Sequence, residues 1–166
     1  MKKTDQALTQ LLSLNGAPDK SEFSENENDI RTPQINYFLG LASEISGKKT
    51  DANLYYTRST AQSVKENNYI RYYQGLSLLK LGNRDKASEY FNALISEGDK
   101  QIKHGSETDF FAKFGEKEAE NVRLSNAYLL KGLGYKGLGD SKQAMENLQK
   151  SVELSASNLW ARVELQ

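Results

Sequence analysis

The sequence predicts an all-α protein, a solenoid of stacked antiparallel helix pairs. Three observations carry this. Both prolines, Pro18 and Pro33, lie ahead of residue 34, leaving the rest of the chain free of the residue that most strongly breaks helices. From Gln34 onward apolar residues recur mostly three and four apart, the helical period, and alternating runs are scarce. Finally, one pattern of small residues, G-x6-G-x4-A-x3-(aromatic or Leu), occurs three times.

Residues 1–14 hold Ala7 and Leu11 at the A-x3-L spacing of a second helix with no first helix before it, a partial repeat. Residues 15–33 are polar, contain both prolines and read as a linker. The first full repeat, 34–67, contains "YFLGLASEISGKKTDANLYY", with Gly40, Gly47, Ala52 and Tyr56. The second, 68–97, contains "YYQGLSLLKLGNRDKASEYF", with Gly75, Gly82, Ala87 and Phe91. Residues 98–121 form an insertion rich in phenylalanine (Phe110, Phe111, Phe114), read either as a short helix packed over the bundle or as a lid. The third repeat, 122–156, contains Gly132, Gly139, Ala144 and Leu148, and 157–166 is a capping helix or the start of another repeat, with Trp160 as the candidate cap.

The spacing has a mechanical reading. A glycine inside a helix costs roughly 1 kcal/mol against alanine, so the first glycine of each unit implies a neighbouring helix in close approach. The second falls where that helix stops and supplies the left-handed conformation of a helix end. Short polar turns follow ("KKTD", "NRD", "DS"), and Asp140 is placed to start the helix after the last of them. The alanine lets the paired helices cross closely, and the residue one turn later fills the space beside it.

From Gly40 to Gly75 is 35 residues, close to the 34-residue period of tetratricopeptide repeats. Over about two thirds of the chain the sequence resembles that family at its small-residue positions, although the family's closing proline is missing from all three copies. The resemblance implies stacked helix hairpins that bind proteins or peptides along the concave face of their first helices. A second resemblance, through "DFFAKFG", "YLLKGLGYKGLGD" and "ELSASNLWA", is to the helical tail of large bacterial multidomain proteins with a β-rich, carbohydrate-active front half. It implies a fragment of a longer protein.

Composition and motifs argue against other classes. Lys plus Arg and Asp plus Glu both total 22, which lacks the basic excess of a nucleic-acid binder. No apolar run approaches the roughly 18 residues of a membrane span, and the amino terminus lacks a signal-peptide core. A soluble chain of undetermined compartment is expected. Absence of cysteine removes thiolate nucleophiles and Cys-based zinc sites. Gly132, Gly134 and Gly137 spell G-x-G-x-x-G, but the preceding "AENVRLSNAYLLK" is helical in pattern, whereas a dinucleotide fold needs a strand there. Close helix packing accounts for the extra Gly134 and Gly137, with the Phe-rich insertion as the expected neighbour. His104, the sole histidine, sits in polar "QIKHGSETD" and reads as solvated. The acidic runs "SENEND" and "EKEAE" read as surface. No enzyme activity, cofactor or metal is expected.

The face carrying function is then the first-helix face: Tyr37, Leu41, Tyr69, Tyr72, Leu76, Asn126, Leu129 and Leu133. These side chains read equally as a groove for a peptide or for another domain of the parent chain, and as core. The Lys/Asn/Arg clamp with which some tetratricopeptide domains hold acidic chaperone tails would fall on Tyr37, Leu41, Tyr73, Asn126 and Leu130. Without cations it is not a carboxylate clamp. A non-catalytic scaffold is the expected function; the alternative is a structural tail of a carbohydrate-processing protein whose catalytic part lies elsewhere.

Overall fold

In the computed structural model the described residues are 30–65, 68–106 and 114–166, and among them are seven α-helices and no strand. They are α1 (Thr32–Ile45), α2 (Lys49–Ala61), α3 (Ile70–Lys80), α4 (Arg84–Ser106), α5 (Phe114–Leu138), α6 (Ser141–Leu154) and α7 (Leu159–Glu164). Side chains of 104–117 are not described. Ala7, Leu11, most of the 15–33 stretch, Phe110 and Phe111 lie outside the described residues, as do the side chains of His104 and Phe114. The chain divides into two compact units, residues 1–64 with 73–87, and residues 65–72 with 88–166.

In the first unit α1 opens with Pro33 in its first turn, where no backbone donor is needed. It ends in a Schellman turn: Lys48 N–H donates to Ser43 C=O (2.9 Å) and Gly47 N–H to Glu44 C=O (3.0 Å), with Gly47 at φ 77°. Gly82 (φ 80°) and Gly139 (φ 83°) close α3 and α5 in the same way. The chain returns as α2, and Tyr56 lies across Gly40 so closely that a Cβ there would sit 2.4 Å from the ring. Leu39, Ala52, Tyr56 and Tyr73 form the apolar core.

Buried polar groups finish this hairpin. Ser59 Oγ donates to Pro33 C=O (2.8 Å), joining the end of α2 to the start of α1, and Ser77 Oγ donates to Ser59 Oγ (2.9 Å). No glycine caps α2, so its last carbonyls need other donors. Gln74 Nε2 supplies them, reaching Ser59 C=O (3.0 Å) and Gln62 C=O (2.7 Å).

The second unit repeats the plan. A Cβ on Gly132 would lie 2.6 Å from Leu148, and Ser125 and Ser151 exchange reciprocal bonds, Ser125 Oγ–H to Ser151 C=O (2.8 Å) and Ser151 Oγ–H to Ser125 C=O (2.7 Å). Ser59 and Ser151 each stand seven residues after the repeat alanine and bond to a residue seven before the repeat glycine. This fifth repeat position is not part of the glycine–alanine pattern. Asp140 caps α6 by accepting from Gln143 N–H (3.0 Å). Tyr72 packs on Phe91 with ring centroids 6.0 Å apart.

Two features differ from the sequence reading. Residues 98–106 continue α4 and 114–121 open α5, so these parts of the insertion are absorbed by helices of 23 and 25 residues. The neighbour of Gly134 and Gly137 is α4 rather than the insertion. Cβ atoms there would meet Phe91 C=O and Ile95 at 2.6 Å and the Phe91 ring at 2.3 Å. Gly98 extends the same contact: a Cβ there would lie 2.6 Å from Ala127 C=O.

Gly137→Ala is expected to destabilise the protein by about 1–3 kcal/mol through overpacking, measured by denaturant unfolding, and Phe91→Leu in the same chain recovers part of the loss. A second test concerns Glu44. Its carboxylate accepts from Lys80 Nζ (2.7 Å) and Tyr56 Oη (2.8 Å), and these bonds, Lys80 first, hold its pKa below the ordinary 4.5. A depressed carboxylate stabilises the fold above its unfolded pKa and loses that contribution as pH falls through the folded value. The pair is exposed, so Glu44→Gln should cost less than about 1 kcal/mol at neutral pH. The difference from wild type should begin to shrink as pH falls past 4.5 and vanish once pH is below the lowered folded value.

Candidate functional site

The eight side chains of the predicted first-helix face do not share one environment. Tyr72, Leu129 and Leu133 are core, each 5% exposed or less. Tyr37, Leu41 and Leu76 are half-buried in the first unit, where the Tyr37 ring lies 6.2 Å from Tyr56 and 5.7 Å from Tyr73. In the second unit Tyr69 is half-buried and Asn126 exposed; Asn126 lines an open groove, and Tyr69 stacks on Trp160, another residue of its lining.

That groove, of ≈ 340 Å³, is lined by Val122, Ser125, Asn126, Ser155, Ser157, Asn158, Leu159 and Trp160. Two elements make it. One is the exposed side of α5 around its serine–serine junction with α6; the other is the turn after α6 that leads into α7. Asn158 positions this turn. Its Oδ1 accepts from Ala161 N–H (3.3 Å), capping α7, while the two hydrogens on Nδ2 are shared among Ser125 Oγ (2.9 Å), Ser151 Oγ (3.2 Å) and Asn126 Oδ1 (3.3 Å). Ser155 and Ser157 pair with each other at 2.9 Å, and Lys136 Nζ holds the far end of α7 through Glu164 (2.9 Å).

The Trp160 ring stacks on Tyr69 with centroids 5.0 Å apart and planes tilted 33°. None of the lining side chains carries a charge. Val122 is 45% and Leu159 63% exposed, which gives the groove apolar shoulders. It therefore offers aromatic faces, amide and hydroxyl groups and apolar edges, a surface for neutral rather than ionic recognition.

Trp160 was legible only as a cap. Its place in the groove has a sequence signal nonetheless. Tyr69 and Asn126 each stand six residues before a repeat glycine, and Trp160 follows Asn126 by 34 residues, one repeat period. Asn158, Ser125 and the two turn serines carried no such mark. Among the described residues no group of three His, Cys, Asp or Glu is placed to hold a metal, and no helix is long and apolar enough to cross a membrane.

Residues 125–158, from the groove's Ser125 to its Asn158, match the tetratricopeptide repeat. With the all-helical architecture this supports a helical-repeat fold of tetratricopeptide type, a kind of repeat that generally binds proteins or peptides. Residues 22–106, just over half of the chain, match the family described as "Uncharacterised Treponema protein", and the chain belongs to that family. No curated protein and no solved structure matches it.

Trp160 is the only tryptophan, so its fluorescence reports on the groove directly. Tyr69→Ala should uncover the indole, shifting emission to the red and raising acrylamide quenching, with helical circular dichroism retained.

Proposed function

We propose that this protein is a non-catalytic docking scaffold that holds an extended peptide, or an extended segment of a neighbouring domain, on the Tyr69–Asn126–Trp160 groove. The carrying observation is that three residues at equivalent repeat positions lie together: an exposed asparagine and Trp160 line the groove, and Tyr69 stacks on Trp160. Aromatic side chains with a polar handle concentrate binding energy at interfaces. The exposed amide of the asparagine is placed to hydrogen-bond a ligand backbone.

The lining residues themselves support a binding rather than a chemical role. The Ser125 hydroxyl is donated to a backbone carbonyl, and none of the side chains around it can take its proton. Tyr37, Leu41 and Leu76 are a separate candidate surface on the first unit.

The test is an unbiased peptide array probed with the wild-type chain and with Tyr69→Ala and Asn126→Ala. Each substitution should weaken captured peptides about tenfold or more, in the range of interface hot spots, while circular dichroism is preserved. Affinities unchanged in both variants would remove the groove as the docking surface.

A further inference from the structure

Helices α1, α3 and α5 open the three repeats, and α3 and α5 each receive the second helix of the preceding repeat on one side. Ser77, two residues after the repeat glycine of α3, bonds to Ser59 of α2 (2.9 Å), and Gly134, at the same place in α5, admits Phe91 and Ile95 of α4. The residues five and two before the repeat glycine lie on that same side of the helix. In α3 and α5 they are core: Ile70, Tyr73, Ala127 and Leu130 are each 3% exposed or less. In α1 they are Ile35, which is half-buried, and Phe38, which is 37% exposed. Ile45, at the place where Gly137 takes the Phe91 ring, is 73% exposed. Among the described residues no second helix precedes α1, and this apolar side stands open.

We infer that residues 1–14 of the same chain are the second helix that covers this side, with Leu11 on Ile45 and Leu14 on Ala42 beside Phe38. The register comes from the other two junctions. Phe91, four residues after a repeat alanine, meets Gly137, five after a repeat glycine; Ser59, seven after the alanine, meets Ser77, two after the glycine. Counted from Ala7 the same positions are Leu11 and Leu14, and counted from Gly40 they are Ile45 and Ala42. Ala7, Leu8, Leu11, Leu12 and Leu14 fall on one face of a helix, with Asp5, Gln6, Thr9, Gln10 and Ser13 on the other. That apolar face is centred between the positions four and eight after the alanine, where α4 carries Phe91 and Ile95. It suits a helix that packs on the repeat after it and has no hairpin partner of its own. Gly16 and Pro18 supply its stop. The segment falls in the same compact unit as α1. Its tether, residues 15–31, is longer than residues 62–69, which make the corresponding return from α2 to α3. A helix from another copy or another protein competes with a segment tethered at about millimolar effective concentration.

The chain contains no cysteine, so a disulfide introduced by substitution reads this contact directly. The full chain carrying Leu11→Cys and Ile45→Cys is oxidised, run on a non-reducing gel and mapped by mass spectrometry. The majority should carry an intrachain disulfide. Thr9→Cys with Ile45→Cys moves the thiol to the position of exposed Leu54, Glu89 and Glu146. Because a disulfide requires close, correctly aimed Cβ atoms, that pair should link roughly fivefold less. In the cysteine-free chain Leu14→Asp should lower the urea midpoint, whereas Thr9→Asp should leave it unchanged. Equal linking of both cysteine pairs, or linking of neither, would overturn the docking. So would a wild-type urea midpoint for Leu14→Asp. A disulfide between two chains would overturn the same-chain occupant in favour of a second copy.

Discussion

The interaction on which everything else depends is the contact between the first glycine of a repeat and the large side chain one turn after its alanine. Tyr56 lies on Gly40 and Leu148 on Gly132 at distances no Cβ would permit. Once the two helices are this close, the hydroxyl seven residues beyond the alanine reaches the backbone at the other end of the hairpin. This bond forms in both units, Ser59 to Pro33 and Ser151 to Ser125, each pair 26 residues apart. The Schellman turn closes the opposite end. Each hairpin is thus fixed at its turn, its middle and its mouth. A buried hydroxyl left without its carbonyl would cost about 1–3 kcal/mol, so the close approach and the serine bond require one another.

Helix α5 carries this logic on two sides. Gly134 lies roughly 200° around the helix from Gly132, and Gly137 falls on the same side as Gly134. Gly132 admits Leu148 of α6, its hairpin partner, whereas Gly134 and Gly137 admit Phe91 and Ile95 of α4. Phe91 is itself the residue one turn after Ala87. The side chain that completes the second repeat's pattern is therefore also the one that docks on the third repeat's first helix. A helix pressed from both sides gives up side-chain volume on both faces, which is why so many glycines fall within so few residues.

What was legible in the sequence follows from the same physics. Contacts that demand a glycine or alanine leave a mark, because few residues substitute for them, and the hairpins could be placed from those marks. Ser59 and Ser151 left none: serine is common, and the corresponding residue of the second repeat is Leu94, a buried apolar side chain. Gly98 misled in the other direction. It stood at the start of the insertion between repeats, yet it sits inside α4 against the backbone of Ala127. The proposed binding face was only partly readable, because periodicity separates the faces of a helix without saying which one is covered. Tyr69 and Tyr72 are one turn apart, and only the second meets Phe91 in the core. The groove's remaining residues come from the turn after α6, where there is no period to read.

Asn158 connects the fold to its use. It is drawn to the paired hydroxyls of Ser125 and Ser151, the same bonds that hold the third hairpin shut. In that position it caps α7, and α7 carries Trp160 to Tyr69. It also faces Asn126 Oδ1 and so sets which end of that amide is free. The floor of the groove is therefore the hairpin's own lock, not a separate device supported by a loop. A site held by side chains already fixed in packing and hydrogen bonding needs little reorganisation when a ligand arrives. The rigidity of the groove comes from the interaction that makes the repeat fold.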